Sequence, residues 1–346
     1  MTDKNSTNVF TKLLSTYTVS DIAKSLGITL STVKRWMVLQ NVPSAYYFAL
    51  LKLDNAPIDY TKFSYKEKDQ FFTPLETARY CCNMLFNTLK KYKEDPTDFF
   101  FIEPSAGSGN FLSFLPCNRT IAMDIEPKGE HILEQDYLNW KPDDVPKKFI
   151  VIGNPPFGLR GQLALQFINH SANFAEYVCF ILPQLFESDG KGVPRKRVNG
   201  FHLVYSEKLD SYFTDPNGNT IEVNCILQIW SKHHKCDKYD IKISDQTKLM
   251  RVYSLSDGGT PSSTRNKKMI GSCDVYLPST CFGKENMKCY QCFEDLPGRK
   301  GYGIVFNSKK KEYTALFQSI NWGDVAFLST NSAYNLRTSQ ILQCIE

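Results

Sequence analysis

Four short apolar runs between residues 98 and 183 constrain the fold more than any other feature of this chain. They are DFFFI (98–102), TIAM (120–123), FIVIGN (149–154) and YVCFILP (177–183), and each is bounded by turn residues. Runs of this length suit strands that are buried on both faces of a parallel sheet. Residues 161–176, between the last two runs, keep helical spacing. We therefore predict an α/β fold built on a Rossmann-like, doubly wound sheet.

Two further strands are predicted after this alternation, FHLVYS (201–206) and IEVNCILQIW (221–230). The segment TDPNGN (214–219) between them is rich in the residues that tight turns require. A hairpin is the economical connection between the two strands. Beyond about residue 235 the helix and strand periods become unclear.

Residues 17–53 predict a small all-α region of three short helices. Ile22, Val33 and Trp36 recur at helical spacing, Gly27 lies where one helix must stop, and Ser31 or Thr32 can cap the next. This pattern resembles a helix-turn-helix module. Its second helix would then enter the major groove of DNA. The alternative is a helical bundle that packs on the rest of the chain or on a partner protein.

In the helix-turn-helix interpretation, Lys34 and Arg35 are exposed beside Trp36 and contact nucleic acid. The domain organisation that follows has a helix-turn-helix domain at 1–56, a linker at 57–70, an α/β domain at 71–235 and a C-terminal region at 236–346. The polar, tyrosine-containing composition of residues 54–70 is typical of a linker.

The net charge of +5 hides an uneven distribution. Residues 1–68 carry +4, residues 69–188 carry −5 and residues 189–346 carry +6. Basic ends suit contact with nucleic acid, whereas an acidic middle suits a cationic small molecule. No apolar run approaches the roughly 18 to 20 residues of a membrane helix, and the start MTDKNSTN lacks a signal-peptide pattern. We expect a soluble, intracellular, cytoplasmic protein.

The 11 cysteines are an odd number and are scattered, so a full disulfide framework is not expected. Cys289 and Cys292 form the one CxxC pair, whereas a structural zinc site usually needs two paired half-sites. We therefore favour reduced, partly buried thiols and expect no metal.

A glycine-rich turn follows the first predicted strand, in the segment from Glu103 to Gly109. A strand followed by a Gly-x-Gly turn that opens a helix lets the backbone approach a ligand, and an acidic residue about 20 positions later takes ribose hydroxyls. Asp124 lies 21 residues after Glu103. Phe111 and Leu112 occupy the place of the third glycine of a dinucleotide motif, so a nucleoside cofactor without phosphates is favoured. Asp136 could accept a hydrogen bond from an adenine amino group.

The segment Asn154-Pro155-Pro156-Phe157 stands at the carboxyl end of the predicted strand FIVIGN (149–154). This is the edge where open α/β sheets bind ligands. Consecutive prolines fix the backbone and leave carbonyl groups free to accept hydrogen bonds. Asn154 adds a side-chain acceptor and Phe157 an aromatic face. This combination suits a site that holds a planar base by its exocyclic amino group.

Together these motifs resemble the S-adenosylmethionine-dependent adenine-N6 DNA methyltransferases in which the cofactor half precedes the catalytic half. The resemblance covers roughly residues 70–232 and implies a class I methyltransferase sheet of seven strands, one of them antiparallel. It implies S-adenosyl-L-methionine as cofactor. The segment Phe72-Thr73-Pro74, here called the FTP segment, would lie over the methionine part, with Glu103 near the amino group. Asp124 would bind the ribose, and Asp136 with Tyr137 would contact the adenine. The residues so implied are Phe72, Thr73, Pro74, Glu103, Pro104, Ser105, Ala106, Gly107, Gly109, Asp124, Ile125, Asp136, Tyr137 and Asn154.

The same resemblance implies that Asn154, Pro155, Pro156 and Phe157 are catalytic. Hydrogen bonds from N6 to the Asn154 side chain and the Pro155 carbonyl would direct the nitrogen lone pair toward the methyl group, and Phe157 would stack on a flipped adenine. A second aromatic wall is usual in the family, and Phe186 and Phe201 are both candidates.

Besides the helix-turn-helix module, one loop of this core and the region that follows the core are predicted to contact duplex DNA, with the protein acting as a monomer. The loop at 187–200 carries Lys191, Arg195, Lys196 and Arg197, which form either a phosphate-gripping arm or a solvated charge run. The basic region 236–346 is a plausible target-recognition domain.

Other functions remain open. An RNA methyltransferase that acts on adenine or guanine amino groups shares the N-P-P-F motif, and protein glutamine methylation is a weaker alternative. A non-catalytic DNA-binding regulator is the alternative from another class, although it would have no need of an intact Asn154. Restriction-modification, viral or phage self-marking and gene regulation are equally compatible roles.

Overall fold

The computed structural model describes residues 3–54, 58, 63–65, 68, 70–143, 147–188, 193–210, 212–239, 248–258, 264–328 and 333–345. The α-helices of these residues are α1 (Asp3–Leu13), α2 (Val19–Ser25), α3 (Leu30–Leu39), α4 (Tyr47–Leu53), α5 (Leu75–Lys91), α6 (Gln162–Ser171), α7 (Lys310–Ser319), α8 (Trp322–Val325) and α9 (Thr338–Leu342). None of the described helices is long and apolar enough to cross a membrane.

The strands fall into a first group that builds the α/β region and a second group toward the C-terminus. The first group is β1 (Phe99–Glu103), β2 (Thr120–Asp124), β3 (Leu133–Glu134), β4 (Lys148–Gly153), β5 (Ala175–Pro183), β6 (His202–Leu209), β7 (Tyr212–Thr214), β8 (Thr220–Glu222) and β9 (Cys225–Ser231). The second group is β10 (Met250–Ser256), β11 (Val275–Pro278), β12 (Thr280–Phe282), β13 (Lys300–Phe306), β14 (Phe327–Leu328) and β15 (Ala333–Asn335).

A seven-stranded sheet in the order β3-β2-β1-β4-β5-β9-β6 forms the centre of the α/β region. Strands β1 to β5 pair in parallel, whereas β9 runs antiparallel to both of its neighbours, β5 and β6. The predicted α/β fold with seven strands and one reversed strand is therefore confirmed. All four apolar runs form strands, as their pattern indicates.

Side chains alternate between the two faces of the sheet along each strand, and both faces are buried. Phe99 and Phe101 of β1 lie in one apolar cluster with the buried side of α5. Ile102 lies in a second cluster, on the opposite face, with the buried side of α6. Both faces are covered by helices, which explains why the strands are continuous apolar runs.

Two details of this region are specific to the structure. The helix that follows the glycine-rich turn is a five-residue 3-10 helix from Asn110 to Phe114, because β2 begins only ten residues after Asn110 and Pro116 interrupts the segment. The predicted strand 221–230 divides into β8 and β9. The TDPNGN turn joins β7 to β8, and this small hairpin is inserted between the paired strands β6 and β9.

Residues 3–54, here called the N-terminal module, contain α1 to α4 around their own apolar cluster. Trp36 makes edge contacts with Phe10 at 5.7 Å and with Tyr46 at 4.6 Å between ring centroids. Helix α1 was not predicted from the sequence. The cap of α3 is Thr29, which accepts from the Thr32 amide, instead of the predicted Ser31 or Thr32. Gly27, with φ +61°, follows the end of α2 as predicted.

The C-terminal strands form two three-stranded antiparallel sheets, β10-β13-β11 and β12-β15-β14. A cluster that includes Phe306, Phe317 and Trp322 fills the space between them and α7. The region contacts the loop after β5, because the Leu328 amide donates to Gln184 Oε1 at 3.2 Å. The linker prediction falls largely on residues 55–57, 59–62, 66–67 and 69, which lie outside the described residues.

Candidate active site

Three adjoining cavities lie at the carboxyl ends of β1, β2 and β4, the sheet edge where ligands of open α/β sheets bind. They are named here by one lining residue each, as the Asn154 cavity, the Glu103 cavity and the Asp124 cavity, and the Asp124 cavity is the largest of the three. Phe71 lines all three, and Asn154 lines the first two. The three cavities therefore adjoin one another around Phe71, and together they are called the groove here.

Nearly every residue that the sequence motifs single out lines this groove. Asn154, Pro155 and Phe157 line the Asn154 cavity. The Glu103 cavity is lined by Phe72, Thr73, Glu103, Ser105, Ala106 and Gly107. The Asp124 cavity is lined by Pro104, Asp124, Ile125, Asp136, Tyr137 and Pro156. Pro74 and Gly109 stand apart, since Pro74 precedes α5 and Gly109 precedes the 3-10 helix.

The glycine-rich turn is held by the end of β2. The Gly107 amide donates to Asp124 Oδ2 at 2.8 Å, and Asp124 Oδ1 accepts from the Glu126 amide at 2.8 Å. Gly107 has φ +53°, and a Cβ there would lie 3.0 Å from the Phe72 ring. Only glycine combines this backbone conformation with so close an aromatic neighbour. Asp124 thus shapes the turn and retains lone pairs for a ligand.

Glu103 lies at the bottom of the Glu103 cavity with only 1% of its surface exposed. Burial, followed by the nearby Asp124 carboxylate, raises the pKa of Glu103 well above its usual value. Within the residues that the structure describes, its Oε2 atom has no hydrogen-bond partner. A buried carboxyl group without a partner is costly. A cationic or hydrogen-bond-donating ligand group would satisfy it.

Asn154 presents an unsatisfied acceptor to the Asn154 cavity. Its side-chain Nδ2 donates to the Phe71 backbone carbonyl at 3.4 Å. The backbone carbonyl of Asn154 accepts from Ser105 Oγ at 3.1 Å. These contacts fix both the backbone and the orientation of the amide. Oδ1 is buried and has no partner in the described part of the chain. The side chain is therefore positioned to accept a hydrogen bond from a group that enters the cavity.

Aromatic side chains form the walls of the Asn154 cavity. Phe157 is anchored through its carbonyl, which accepts from the Leu163 amide at 3.1 Å and the Ala164 amide at 3.3 Å at the start of α6. Phe71 and Phe213 supply two further rings. A planar molecule can thus be enclosed between aromatic faces next to the Asn154 acceptor.

Neither predicted candidate for the second aromatic wall lines the groove. Phe186 is fully buried, Phe201 is nearly so, and both belong to the apolar cluster on the α6 face of the sheet. Phe213 of β7 was not singled out from the sequence. Its position directly before the TDPNGN turn is the feature that could have indicated it.

The β7–β8 hairpin is joined to the FTP segment. Phe72 and Thr214 exchange two backbone hydrogen bonds, of 2.8 and 3.0 Å, which place Phe71 beside Phe213. Asn110 Nδ2 donates to the Thr73 carbonyl at 2.7 Å from the glycine-rich side. The FTP segment therefore connects the Glu103 cavity with the Asn154 cavity.

The carboxylates that line the Asp124 cavity already accept some hydrogen bonds from the protein. Asp136 accepts from the Leu138 amide at 3.0 Å and from Asn139 Nδ2 at 3.1 Å. Tyr137 is 1% exposed, and its hydroxyl lies 2.6 Å from Ser171 Oγ, so it serves mainly as a core residue at the cavity edge. Two lysines that sequence reasoning missed, Lys52 and Lys68, also line this cavity.

The predicted nucleic-acid contacts have different environments. Lys34 and Arg35 are exposed on α3, as predicted, and Lys196 is exposed in the loop after β5. Arg195 instead donates to the carbonyls of Glu187 and Tyr239, and Arg197 donates to Gln162 Oε1 at 3.1 Å. These two arginines are partly buried and donate within the chain, so neither belongs to a fully solvated charge run. Lys191 lies outside the described residues.

The CxxC pair does not assemble a metal site in the part of the chain that the structure describes. Cys289 is half-buried, Cys292 is exposed, and burial raises the pKa of Cys289 to about 12. No group of three or more His, Cys, Asp or Glu side chains among the described residues is arranged to hold a metal ion.

Comparison with known proteins gives similarity in structure only. No protein-family model matches the sequence, and no curated protein is similar enough to count as a relative. A proposed RNA methyltransferase from Pyrococcus horikoshii is 15% identical, with 47% of this chain and 86% of that chain covered and a TM-score of 0.35. The 23S rRNA methyltransferase ErmE is 15% identical, with 48% and 71% covered and a TM-score of 0.32.

A third similar structure is a modification subunit of a proposed type I restriction enzyme from Vibrio vulnificus YJ016. It is 10% identical, with 66% of this chain and 60% of that chain covered and a TM-score of 0.32. The sheet order and the single reversed strand give this chain the Rossmann-like α/β fold of class I methyltransferases. Identities and TM-scores this low do not carry function, which rests on the geometry of the site itself.

Proposed function

We propose that this protein transfers a methyl group from S-adenosyl-L-methionine to the exocyclic N6 of an adenine in DNA. The buried, unpartnered Oδ1 of Asn154 carries this proposal. It stands beside a cavity with aromatic walls that Pro155 also lines, and the Pro155 carbonyl would be the second acceptor. An amino group on a planar ring satisfies both acceptors and fills the space between the rings.

The groove has room and chemistry for the cofactor beside that cavity. The Glu103 carboxyl group suits the methionine ammonium, and Asp124 suits the ribose hydroxyls. The larger Asp124 cavity suits the adenine, with Ile125 and Pro156 as apolar contacts. S-adenosylmethionine supplies a sulfonium-bound methyl group, which would face the Asn154 cavity from the Glu103 side, because Asn154 lines both.

The residues of the Asn154 cavity would align and activate the amine. The lone pair of N6 is delocalised into the adenine ring, so the free amine is a poor nucleophile. Hydrogen bonds to Asn154 Oδ1 and the Pro155 carbonyl draw N6 toward tetrahedral geometry and concentrate its lone pair on the open side. Bound S-adenosylmethionine would supply the methyl group, so that an N6–methyl bond would replace the sulfur–methyl bond and the proton lost by N6 would pass to water. Alignment and electrostatics supply most of the rate.

DNA is the favoured substrate because of the regions outside the sheet. The N-terminal module exposes Lys34 and Arg35 on α3, and this helix would be the one that enters the major groove if the module is a helix-turn-helix. Lys267, Lys268 and Lys311 of the C-terminal region add exposed positive charge. In duplex DNA the target adenine would leave the stack and enter between Phe157 and Phe213.

The proposal is tested by methyl transfer from labelled S-adenosylmethionine to matched duplex DNA and RNA. A second DNA duplex carries purine, which lacks the N6 amino group, in place of adenine. We expect incorporation into adenine-containing DNA, none into the purine duplex, and N6-methyladenine as the product found by mass spectrometry after digestion. Incorporation into RNA alone, or equal incorporation into both DNA duplexes, would overturn the proposal.

A further inference from the structure

The N-terminal module supplies one side of the Asp124 cavity through Lys52 of α4. Leu50, two residues earlier, is fully buried in the core of the module. Residues two apart on a helix lie about 200° apart around its axis, since each residue turns the helix by about 100°. Lys52 therefore points away from the module and toward the α/β region.

Two contacts hold the module in this position. Phe48 and Tyr47 pack against the buried Phe63, with ring centroids 5.1 and 6.0 Å apart. At a separate point, the turn at Gly27 lies so close to Gln162 of α6 that a Cβ on Gly27 would overlap the Gln162 side chain. The module thus contacts both the start of α6 and the rim of the cavity.

Lys52 is held in place, and none of the described residues forms an ion pair with its charge. Its Nζ lies 5.5 Å from the centroid of the Phe48 ring. The end of its helix is secured by Asp54, which pairs with Lys12 of α1 at 2.7 Å. Burial lowers the pKa of Lys52, whereas Asp136 acts in the opposite direction. No described residue forms a hydrogen bond or ion pair of contact length with Lys52, so its ammonium retains donors for a ligand.

The second lysine of the cavity has a different role. Lys68 Nζ pairs with Glu126 Oε2 at 2.8 Å, two residues beyond Asp124. Its charge is therefore already balanced. Of the two lysines, only Lys52 lines the cavity without an ion pair to a described residue, so it is the one that can donate hydrogen bonds to a ligand.

We propose that the N-terminal module completes the nucleoside end of the cofactor site, with Lys52 donating to the bound nucleoside across from Asp136. The inference rests on the proposed function for the identity of the ligand. The hydroxyls and ring nitrogens of a nucleoside are the acceptors that such an ammonium needs. Ligand binding and docking of the module on the α/β region are then coupled, and the coupling is reciprocal.

The test measures adenosine and S-adenosylhomocysteine binding by calorimetry, with the full-length chain and three variants. Lys52→Met should weaken both ligands by a similar factor of about 5 to 30, because both contain the nucleoside. Glu103→Gln should weaken S-adenosylhomocysteine while leaving adenosine within about twofold, because adenosine lacks the methionine part. Lys24→Met removes an exposed charge from α2 of the same module and should leave both affinities unchanged.

Hydrogen exchange of the wild-type chain gives a measurement that does not depend on whether Lys52→Met folds. Adenosine should slow exchange of the α4 amides. An absence of this protection, or an adenosine affinity of folded Lys52→Met equal to that of Lys24→Met, overturns the inference alone. A wild-type chain that binds neither ligand overturns the proposed function, and the inference with it.

Discussion

Replacing Asn154 by alanine is expected to separate stability from activity. The change removes a buried Oδ1 atom without a partner in the described residues, and relief of such an atom is worth about 1 to 3 kcal/mol. It also removes the long 3.4 Å hydrogen bond to the Phe71 carbonyl, worth about 0.5 kcal/mol at the low end of the usual range. The folded state should therefore be about 0.5 to 2.5 kcal/mol more stable.

The same substitution should nearly abolish methyl transfer. Loss of one aligned hydrogen-bonding group at a reacting centre typically costs about 10² to 10³ in kcat, or about 2.7 to 4 kcal/mol. Cofactor affinity should change by no more than a few-fold, because Glu103 and Asp124 remain. The assays are urea unfolding, S-adenosylmethionine binding and single-turnover methyl transfer to DNA.

Asn173→Ala is the matched control for this prediction. Asn173 is exposed just beyond α6 and donates one hydrogen bond of 2.9 Å to the His170 carbonyl. Its removal should cost at most about 1 kcal/mol of stability and leave methyl transfer at the wild-type rate. The reasoning about Asn154 is refuted if Asn154→Ala retains activity within fivefold of this control, or if it loses more than about 2 kcal/mol of stability.

Three further substitutions test other parts of the groove. Because the pKa of Glu103 is raised, the stability that its neutral form provides is lost as the pH rises from its usual pKa of about 4.3 through the raised folded value. Glu103→Gln should flatten this decline in a urea-unfolding series that rises from about pH 4, and an unchanged decline would contradict the assignment. Phe213→Leu should lower kcat/KM for DNA about 10- to 100-fold through lost base stacking of about 1 to 3 kcal/mol, whereas a wild-type value would exclude Phe213 from the base site. Gly107→Ala should weaken S-adenosylmethionine binding at least tenfold by displacing Phe72. In the control Gly218→Ala, the glycine also has a positive φ, of +82°, but its added Cβ would have no atom within 4 Å, so this variant should bind as wild type does. Equal affinities of the two variants in calorimetry would count against the close contact.

Much of the fold follows from local sequence pattern. The apolar runs became β1, β2, β4 and β5 because strands buried on both faces need continuous apolar residues, whatever lies around them. The short 3-10 helix after the glycine-rich turn is also local in origin, because Pro116 and the start of β2 leave no room for a longer helix.

The second aromatic wall illustrates what pattern cannot decide. Phe186 and Phe201 flank the basic loop in sequence, but both are drawn into the core by the apolar cluster on the α6 face. Phe213 reaches the Asn154 cavity because β7 pairs with the FTP segment about 140 residues earlier in the chain. Such pairing depends on chain reversal at the TDPNGN turn and on the path of β6 and β9.

By itself, the sequence determined the sheet, the glycine-rich turn and the Asn-Pro-Pro-Phe segment, because each depends on the conformational preferences of neighbouring residues. The tertiary structure alone decided which groups share the groove. It left Asn154 Oδ1 and Glu103 Oε2 buried without partners among the described residues, and it brought Lys52 of a separate helical module to the Asp124 cavity. Burial and contact between distant segments are properties of the packed chain, so no local pattern specifies them.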